Sequence, residues 1–300
     1  MSASGLEVRC PAKVNLSLRV GTRRPDGYHE IRTVFQAVDL WDSLRARPSE
    51  RLTLVCDDPG VPSGPENLVL RAAEALRRAA GRAAGGAALR LRKRIPVAGG
   101  MGGGSSDAAG ALVLLNRLWG LGLVGADLES LAAEIGSDVP FFLHGGVALG
   151  EGRGERLTDL PYPGDRLLLL GVPPFGVSTR EAYDAFDRDL TRSSDDGSFP
   201  RSRSGNPPEE NDFRVGPNDL EAGVVARRPE LLEFREELGR SGAAAALLSG
   251  SGSTVFGVFD DSRALREAVA CLGSRFARWR VFGSRTVACG VRFGGNDGAD

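Results

Sequence analysis

Lysine is almost missing from this chain. Of its 38 basic residues 36 are arginine, and only Lys13 and Lys93 break the pattern. A sequence that writes arginine nearly everywhere makes each lysine a candidate for work that needs a compact, mobile ammonium. Histidine is as scarce, with two copies, and Cys10, Cys56, Cys271 and Cys289 form no CxxC pair. That argues against a Cys/His metal cage and leaves buried, reduced thiols as the expectation. No stretch approaches the ~20 apolar residues of a membrane span, and "MSASGLEVRC" lacks the basic patch and apolar core of a signal peptide. A cytoplasmic chain without a membrane partner is therefore expected. The formal net charge of -1 supplies no positive field for a polyanion, so no nucleic-acid partner is expected either.

What is present suits two domains, since 300 residues exceed the usual single-domain size. The expected boundaries are 1–160 and 161–300. Short alternating runs (Leu6 to Cys10, Val14 to Val20, Ile31 to Val38, Arg51 to Val55) predict a strand-rich start. A helix opening near Asn67 and a strand at "ALRLRKRI" follow. Helical spacing returns from Ser105 to Leu118, and Asp127 is placed to cap a helix ending at Gly136. "DVPFFLHGGVALGEG" and "RLLLLGVPP" suit buried strands or loop entries, and "STREAYDAFDRDL" opens as a capped helix. Residues 191–212 hold too little apolar surface to offset their ordering entropy, which predicts a flexible surface insertion. Beyond them, helix and strand patterns alternate as in a second α+β domain, and "GGNDGAD" ends the chain as a frayed tail.

The most informative stretch is "IPVAGGMGGGSSDAAGALVLLN", from Ile95 to Asn116. Glycine loses more conformational freedom on folding than any other residue, so a run of them needs a compensating gain. Set between a strand and an amphipathic helix, the run lets backbone amides converge on one point, where the helix adds its unpaired N–H groups and positive dipole end. Such a segment is an anion cradle; the alternative is a linker or a close backbone crossing. It is neither a Walker loop, which needs GK[ST], nor a Rossmann fingerprint, because Ser105 stands where the third glycine belongs. The protein-kinase and hydrolase signatures are absent as well.

"PVAGGMGGGSSDAA" resembles the phosphate loop of the GHMP small-molecule kinases. "PAKVNLSLRV", "RRPDGYHEIRTVFQ", "ENLVLRAA", "GSDVPFFL" and "LLSGSGSTVFG" are similar to that family's other motifs, in the same order. Met101 replaces a more usual leucine, Ser137 a more usual alanine, and the 191–212 insertion is long. The resemblance implies an α+β, two-domain fold: a ribosomal protein S5 domain 2-like N-terminal domain and a ferredoxin-like C-terminal one. It implies ATP as phosphoryl donor with Mg2+, and a small-molecule acceptor, closest to a cytidylated methylerythritol. A homoserine or mevalonate acceptor is the rival within the family. A non-catalytic nucleotide- or RNA-binding module using "RLRKRI" is the rival outside it, although a solvated strand edge also explains that patch. A monomer or weak homodimer is expected.

By the same resemblance Asp138 is the general base and Lys13 its partner. Phosphoryl transfer needs mainly a held triphosphate, neutralised charge and an orienting group at the acceptor hydroxyl. The nucleotide side comprises Asn67, Leu68, Pro96, Gly99, Gly100, Met101, Gly102, Gly103, Gly104, Ser105 and Ser106, with Ser105 or Ser106 reaching a phosphate or the magnesium. Asn67 serves equally well as an ordinary helix cap. Mg2+ keeps several waters, so no dedicated protein metal motif is expected; Asp107 suits an outer position there or a plain helix start. The acceptor side comprises Asn15, Tyr28, His29, Thr179, Tyr183 and the second glycine loop at Gly250, Ser251 and Gly252. Aromatic stacking and edge hydrogen bonds there suit a cytosine. His144 is read as structural.

Overall fold

The computed structural model describes residues 5–190 and 215–294. The expected insertion at 191–212 lies outside the described residues, as does nearly all of the terminal tail.

The chain opens with two long antiparallel strands, β1 (Leu6–Arg23) and β2 (His29–Ser49), followed by β3 (Thr53–Cys56), α1 (Leu68–Ala80) and β4 (Gly86–Arg92). The four short runs seen in the sequence are three strands, because what reads as a break in alternation is a register shift. At the shift between Pro11 and Ala12 the side chains change face. Val8 and Cys10 belong to the core beneath the helices, whereas Ala12, Val14 and Leu16 belong to a separate core on the opposite side. The odd-numbered Lys13 and Asn15 therefore turn toward the helices. That switch delivers both polar side chains to the site described below.

Next come α2 (Gly103–Leu118), α3 (Gly125–Ile135), α4 (Val139–His144), β5 (Val147–Gly152) and β6 (Arg156–Leu160). "VPFFLH" is a helix where buried strand or loop was expected; Pro140 stands at its start, where its missing N–H costs nothing. Helix α2 begins two residues earlier than the spacing predicts. Asp127 is not the cap of α3 but lies in its first turn, its carboxylate accepting from the Val124 amide. Helix α2 is central and apolar on nearly every face. It approaches β1 so closely that a Cβ on Gly110 would lie 2.4 Å from Cys10 Sγ.

Among the described residues, 167–190 and 215–285 build a second unit: β7 (Leu167–Val172), α5 (Thr179–Leu190), α6 (Glu221–Val225), α7 (Pro229–Arg240), β8 (Ala245–Leu248), β9 (Val255–Phe259), α8 (Ser262–Arg275) and β10 (Arg280–Arg285). Its sheet runs β10-β7-β9-β8, all antiparallel, the ferredoxin-like arrangement of a strand, helices, a strand pair, a helix and a strand. A final strand, β11 (Arg292–Phe293), returns to pair with β1, giving the first sheet the order β11-β1-β2-β4-β3, with β5 paired to β2 and β6 to β5. The two sheets share an apolar layer that includes Val14, Leu168, Leu170 and Phe256, and bridges at Leu18–Asn218 and Val38–Thr286 tie them further.

Two expectations need correction. Strand β4 lies between β2 and β3 and is no edge; within "RLRKRI" Lys93 is buried, while Arg90, Arg92 and Arg94 are exposed. Of the four thiols only Cys10 is buried; Cys271 is exposed, and the other two are half-buried.

Candidate active site

Between β4 and α2 the glycine run turns through positive φ at Ala98 (55°), Gly100 (74°) and Gly102 (69°). Gly102 is the N-cap of α2 and offers no side-chain acceptor. The first amides of a long helix are thereby left open toward the cleft, as an anion cradle requires. Several glycines also answer a packing demand. A Cβ on Gly100 would sit 2.3 Å from the Ser249 carbonyl oxygen and 2.7 Å from that of Gly252, and one on Gly102 would meet the Phe142 ring at 2.6 Å. The run is thus both cradle and close crossing. The second glycine loop grips the first: the Thr254 amide donates to Gly99 O at 3.1 Å, and Ser249 Oγ donates to Gly100 O at 3.1 Å.

Beside this pair of loops β1 presents Lys13, whose amide donates to Met101 O at 3.0 Å. Its ammonium is buried, donates to Asn15 Oδ1 at 2.6 Å and lies 3.5 Å from Asp138 Oδ2. Burial pushes the Lys13 pKa down, and the carboxylate of Asp138 pulls part of it back. Asn15 is held in turn, Nδ2 donating to Thr33 Oγ1 at 2.7 Å. Asp138 stands just ahead of α4, makes no capping bond, and remains about one-third exposed at the cleft. A fixed ammonium and a reachable carboxylate meeting at the mouth of a phosphate loop can move a proton and neutralise growing charge.

At the far end the cleft is aromatic. His29 stacks on Tyr183 (ring centroids 5.2 Å, 21° between planes) and places Nε2 2.8 Å from Asp187 Oδ1. Tyr28 is exposed, with the Arg153 guanidinium 5.2 Å above its ring. Burial raises the Tyr183 phenol pKa and the Asp138 charge adds to it, so this hydroxyl stays protonated.

One cleft of about 1050 Å³ collects nearly every residue singled out from the sequence. Lys13, Asn15 and Asp138 line it with Pro96 and the loop from Gly99 to Ser105. Asn67 and Leu68 border one end, Tyr28, His29, Thr179 and Tyr183 the other, and Gly250, Ser251 and Gly252 the wall between the two units. Thr179 Oγ1 and Ser251 Oγ are 3.2 Å apart, joining α5 to that wall. Ser106 alone among the singled-out residues does not line the cleft; it is fully buried and its hydroxyl lacks a protein partner. The Asn67 side chain is occupied as the cap of α1, accepting from the Val69 amide at 2.9 Å and donating to Pro62 O at 2.6 Å. His144 lies outside the cleft, 3.1 Å from Glu129 Oε1.

Three features were not legible beforehand. Lys93 is clasped between Asp42 and Asp107, with Nζ 2.6 Å from Asp107 Oδ2, all three buried beneath the phosphate loop. Burial opposes the Lys93 charge, but the two carboxylates outweigh it and its pKa is raised. Asp107 is thereby committed to Lys93, and its second oxygen has no protein partner. Asn218 spans Gly250 O (2.7 Å), Leu248 O (2.9 Å) and the Leu220 amide (3.0 Å), fixing the second glycine loop. Asp187 faces His29. Only the lysine scarcity hinted at any of these.

The cleft suits a nucleoside triphosphate, since the cradle holds no side chain a Cβ would supply and the α2 amides are open. Among the described residues no group of three or more His, Cys, Asp or Glu side chains could hold a metal. Ser105 and Asp107 both line the cleft at the mouth of α2, so theirs are protein oxygens that would face a magnesium ion carried by the triphosphate. No helix among the described residues is long and apolar enough to cross a membrane.

Residues 67–146 match the GHMP kinases N terminal domain and residues 205–278 the GHMP kinases C terminal. The chain is 47% identical over 263 residues to the 4-diphosphocytidyl-2-C-methyl-D-erythritol kinase of Pelotomaculum thermopropionicum, covering 86% of this chain and 91% of that one. It is 39% identical over 305 residues to the protein of the same name from Gloeobacter violaceus, covering 98% and 99%. A crystal structure of a 4-(cytidine 5'-diphospho)-2C-methyl-D-erythritol kinase superposes with a TM-score of 0.74 at 36% identity, covering 93% of this chain and 98% of the other. Homoserine kinase from Cytophaga hutchinsonii superposes with a TM-score of 0.73 at 18% identity, over 98% of each chain, which shows a shared fold.

Proposed function

Because the chain belongs to the 4-diphosphocytidyl-2-C-methyl-D-erythritol kinases within the GHMP kinases, we propose that it transfers the γ-phosphoryl group of ATP to the 2-hydroxyl of 4-diphosphocytidyl-2-C-methyl-D-erythritol, a step in isoprenoid precursor synthesis. The observation that carries this reading is the meeting of Lys13, Asn15 and Asp138 beside the phosphate loop, within one cleft whose far end is aromatic.

Amides from Gly99 to Ser105 hold the triphosphate, while the Ser106 amide is spent on Gly102 O, and the interlocked second glycine loop keeps that cradle rigid. Asp138 accepts the proton of the acceptor hydroxyl while Lys13, anchored by Asn15, stabilises the charge that grows on the acceptor oxygen. A tertiary alcohol is a poor nucleophile, so holding it in line supplies most of the rate. Tyr28 and Tyr183 offer faces, and His29 an edge, to the cytosine. The Ser105 hydroxyl, at the mouth of α2 in the cleft, would help hold a magnesium ion that arrives with the nucleotide and would supply charge neutralisation at the phosphates. The near-neutral charge supports a small-molecule acceptor without nucleic acid. A monomer or weak homodimer working in the cytoplasm fits this role.

An ADP-release assay across cytidylated methylerythritol, plain methylerythritol, homoserine and mevalonate tests the assignment, with 31P NMR locating the new ester. Turnover confined to the cytidylated acceptor is expected. Turnover of homoserine or mevalonate instead would replace the assignment with another kinase of the family.

A further inference from the structure

His29 has two ring nitrogens, and the structure commits one of them. Nε2 lies 2.8 Å from Asp187 Oδ1, from helix α5 across the cleft. Among the described residues no protein group hydrogen-bonds Nδ1, and that atom is not among those sealed from solvent without a partner. His29 lines the cleft at its aromatic end, its ring flanked by Tyr183 and by Phe186 edge-on (centroids 6.0 Å, 90° between planes), so it cannot swing freely.

A carboxylate can only accept a hydrogen bond at Nε2, so in the neutral imidazole the proton sits there and Nδ1 is left as a bare lone pair. We infer that Asp187 is a specificity-determining residue: by fixing the tautomer of His29 it turns Nδ1 into an acceptor that reads the exocyclic amino group of the acceptor's pyrimidine. The inference rests on the cytidylated acceptor proposed above. Cytosine presents an amino donor at its 4-position, and uracil in the same pose presents a carbonyl. Lone pair would face lone pair. A site built to hydrogen-bond one group rejects the analogue that lacks it far more strongly than a greasy pocket rejects a missing methylene. Without Asp187 the imidazole is free to carry its proton on Nδ1, where it donates to a carbonyl as readily as the other tautomer accepts from an amine.

The test uses the full chain and two readouts. With only His29 and His144 present, long-range 1H-15N spectra at pH 8 report each ring's tautomer, the two being told apart with a His144→Gln variant. The Nε2–H form is expected for His29, shifting toward a mixture in Asp187→Ala. A His29 that carries its proton on Nδ1, or on both nitrogens, overturns the inference. In the second readout, kcat/KM is compared for cytidylated and uridylated methylerythritol. Asp187→Ala should lower the cytidine-over-uridine preference at least about tenfold, whereas an unchanged preference overturns the inference even if overall activity falls. If wild type turns over neither nucleotide-bearing acceptor, the functional assignment itself fails, and the spectra still judge the tautomer separately.

Discussion

Lys13 Nζ stands 3.5 Å from Asp138 Oδ2, with Asn15 Oδ1 on its other side at 2.6 Å, so one buried ammonium is shared between a reachable carboxylate and a fixed amide. The shared cation exists because the register shift after Pro11 turns Lys13 away from the second sheet. Replacing it with an uncharged chain of similar length, Lys13→Met, should lower kcat by about 10²-fold or more, the usual cost of deleting one charge-stabilising donor. Steady-state kinetics with the cytidylated acceptor checks this, and the loss should fall on kcat more than on the KM for ATP.

Gly100→Ala tests the contact between the two glycine loops. The new methyl carbon would lie 2.3 Å from Ser249 O at a residue whose φ is +74°, so either the loops part or the chain strains. A displacement on the order of 1 Å costs about 10²-fold in rate when it falls on groups that position a reactant. ATP titration and single-turnover rates should both suffer.

Asn218→Ala leaves the carbonyls of Leu248 and Gly250 and the amide of Leu220 without their buried partner. A loss of about 1–3 kcal/mol is expected in chemical denaturation for the unmet groups. Asn218→Asp should do no better, since a carboxylate offers no donor to the two carbonyls.

The phosphate loop rests on a buried carboxylate that titrates late. Burial, aided by the negative charge of Asp42, lifts the Asp107 pKa to about 7 even though Lys93 pulls it down. An unfolded aspartate titrates near ~4, so between those values the folded chain binds the extra proton. The stability Asp107 contributes is full below about pH 4 and is lost as pH rises through about 7. Asp107→Asn should therefore flatten that part of the stability profile, measured as Tm or denaturation midpoint between pH 5 and 8 against wild type.

Much of the site was readable because its signals are local. The glycine run, the helix after it and the polar break at Asp138 each lie within a few residues, where spacing alone carries meaning. Lys13 stood out through the motif "PAKVN", to which the scarcity of its type added a hint. Helix α4 was missed because "VPFFL" is apolar on every side and shows no period; Pro140 at its first turn was the available signal. The unity of β1 and the full length of β2 were hidden because a register shift imitates a break in alternation. The Asp42–Lys93–Asp107 clasp, the Asn218 brace and the Asp187–His29 pair join residues 14 to 158 positions apart. No pattern along the chain foretells such a meeting, and Lys93 sits among arginines that make it look like surface.

The account turns on Asp138 as the group that receives the acceptor's proton, and Asp138→Asn interrogates it with almost no change in shape. Turnover by ADP release should drop at least ~10²-fold, while ATP binding by calorimetry stays within a few-fold of wild type. An Asp138→Asn enzyme that turns over at close to the normal rate would contradict the account at its centre.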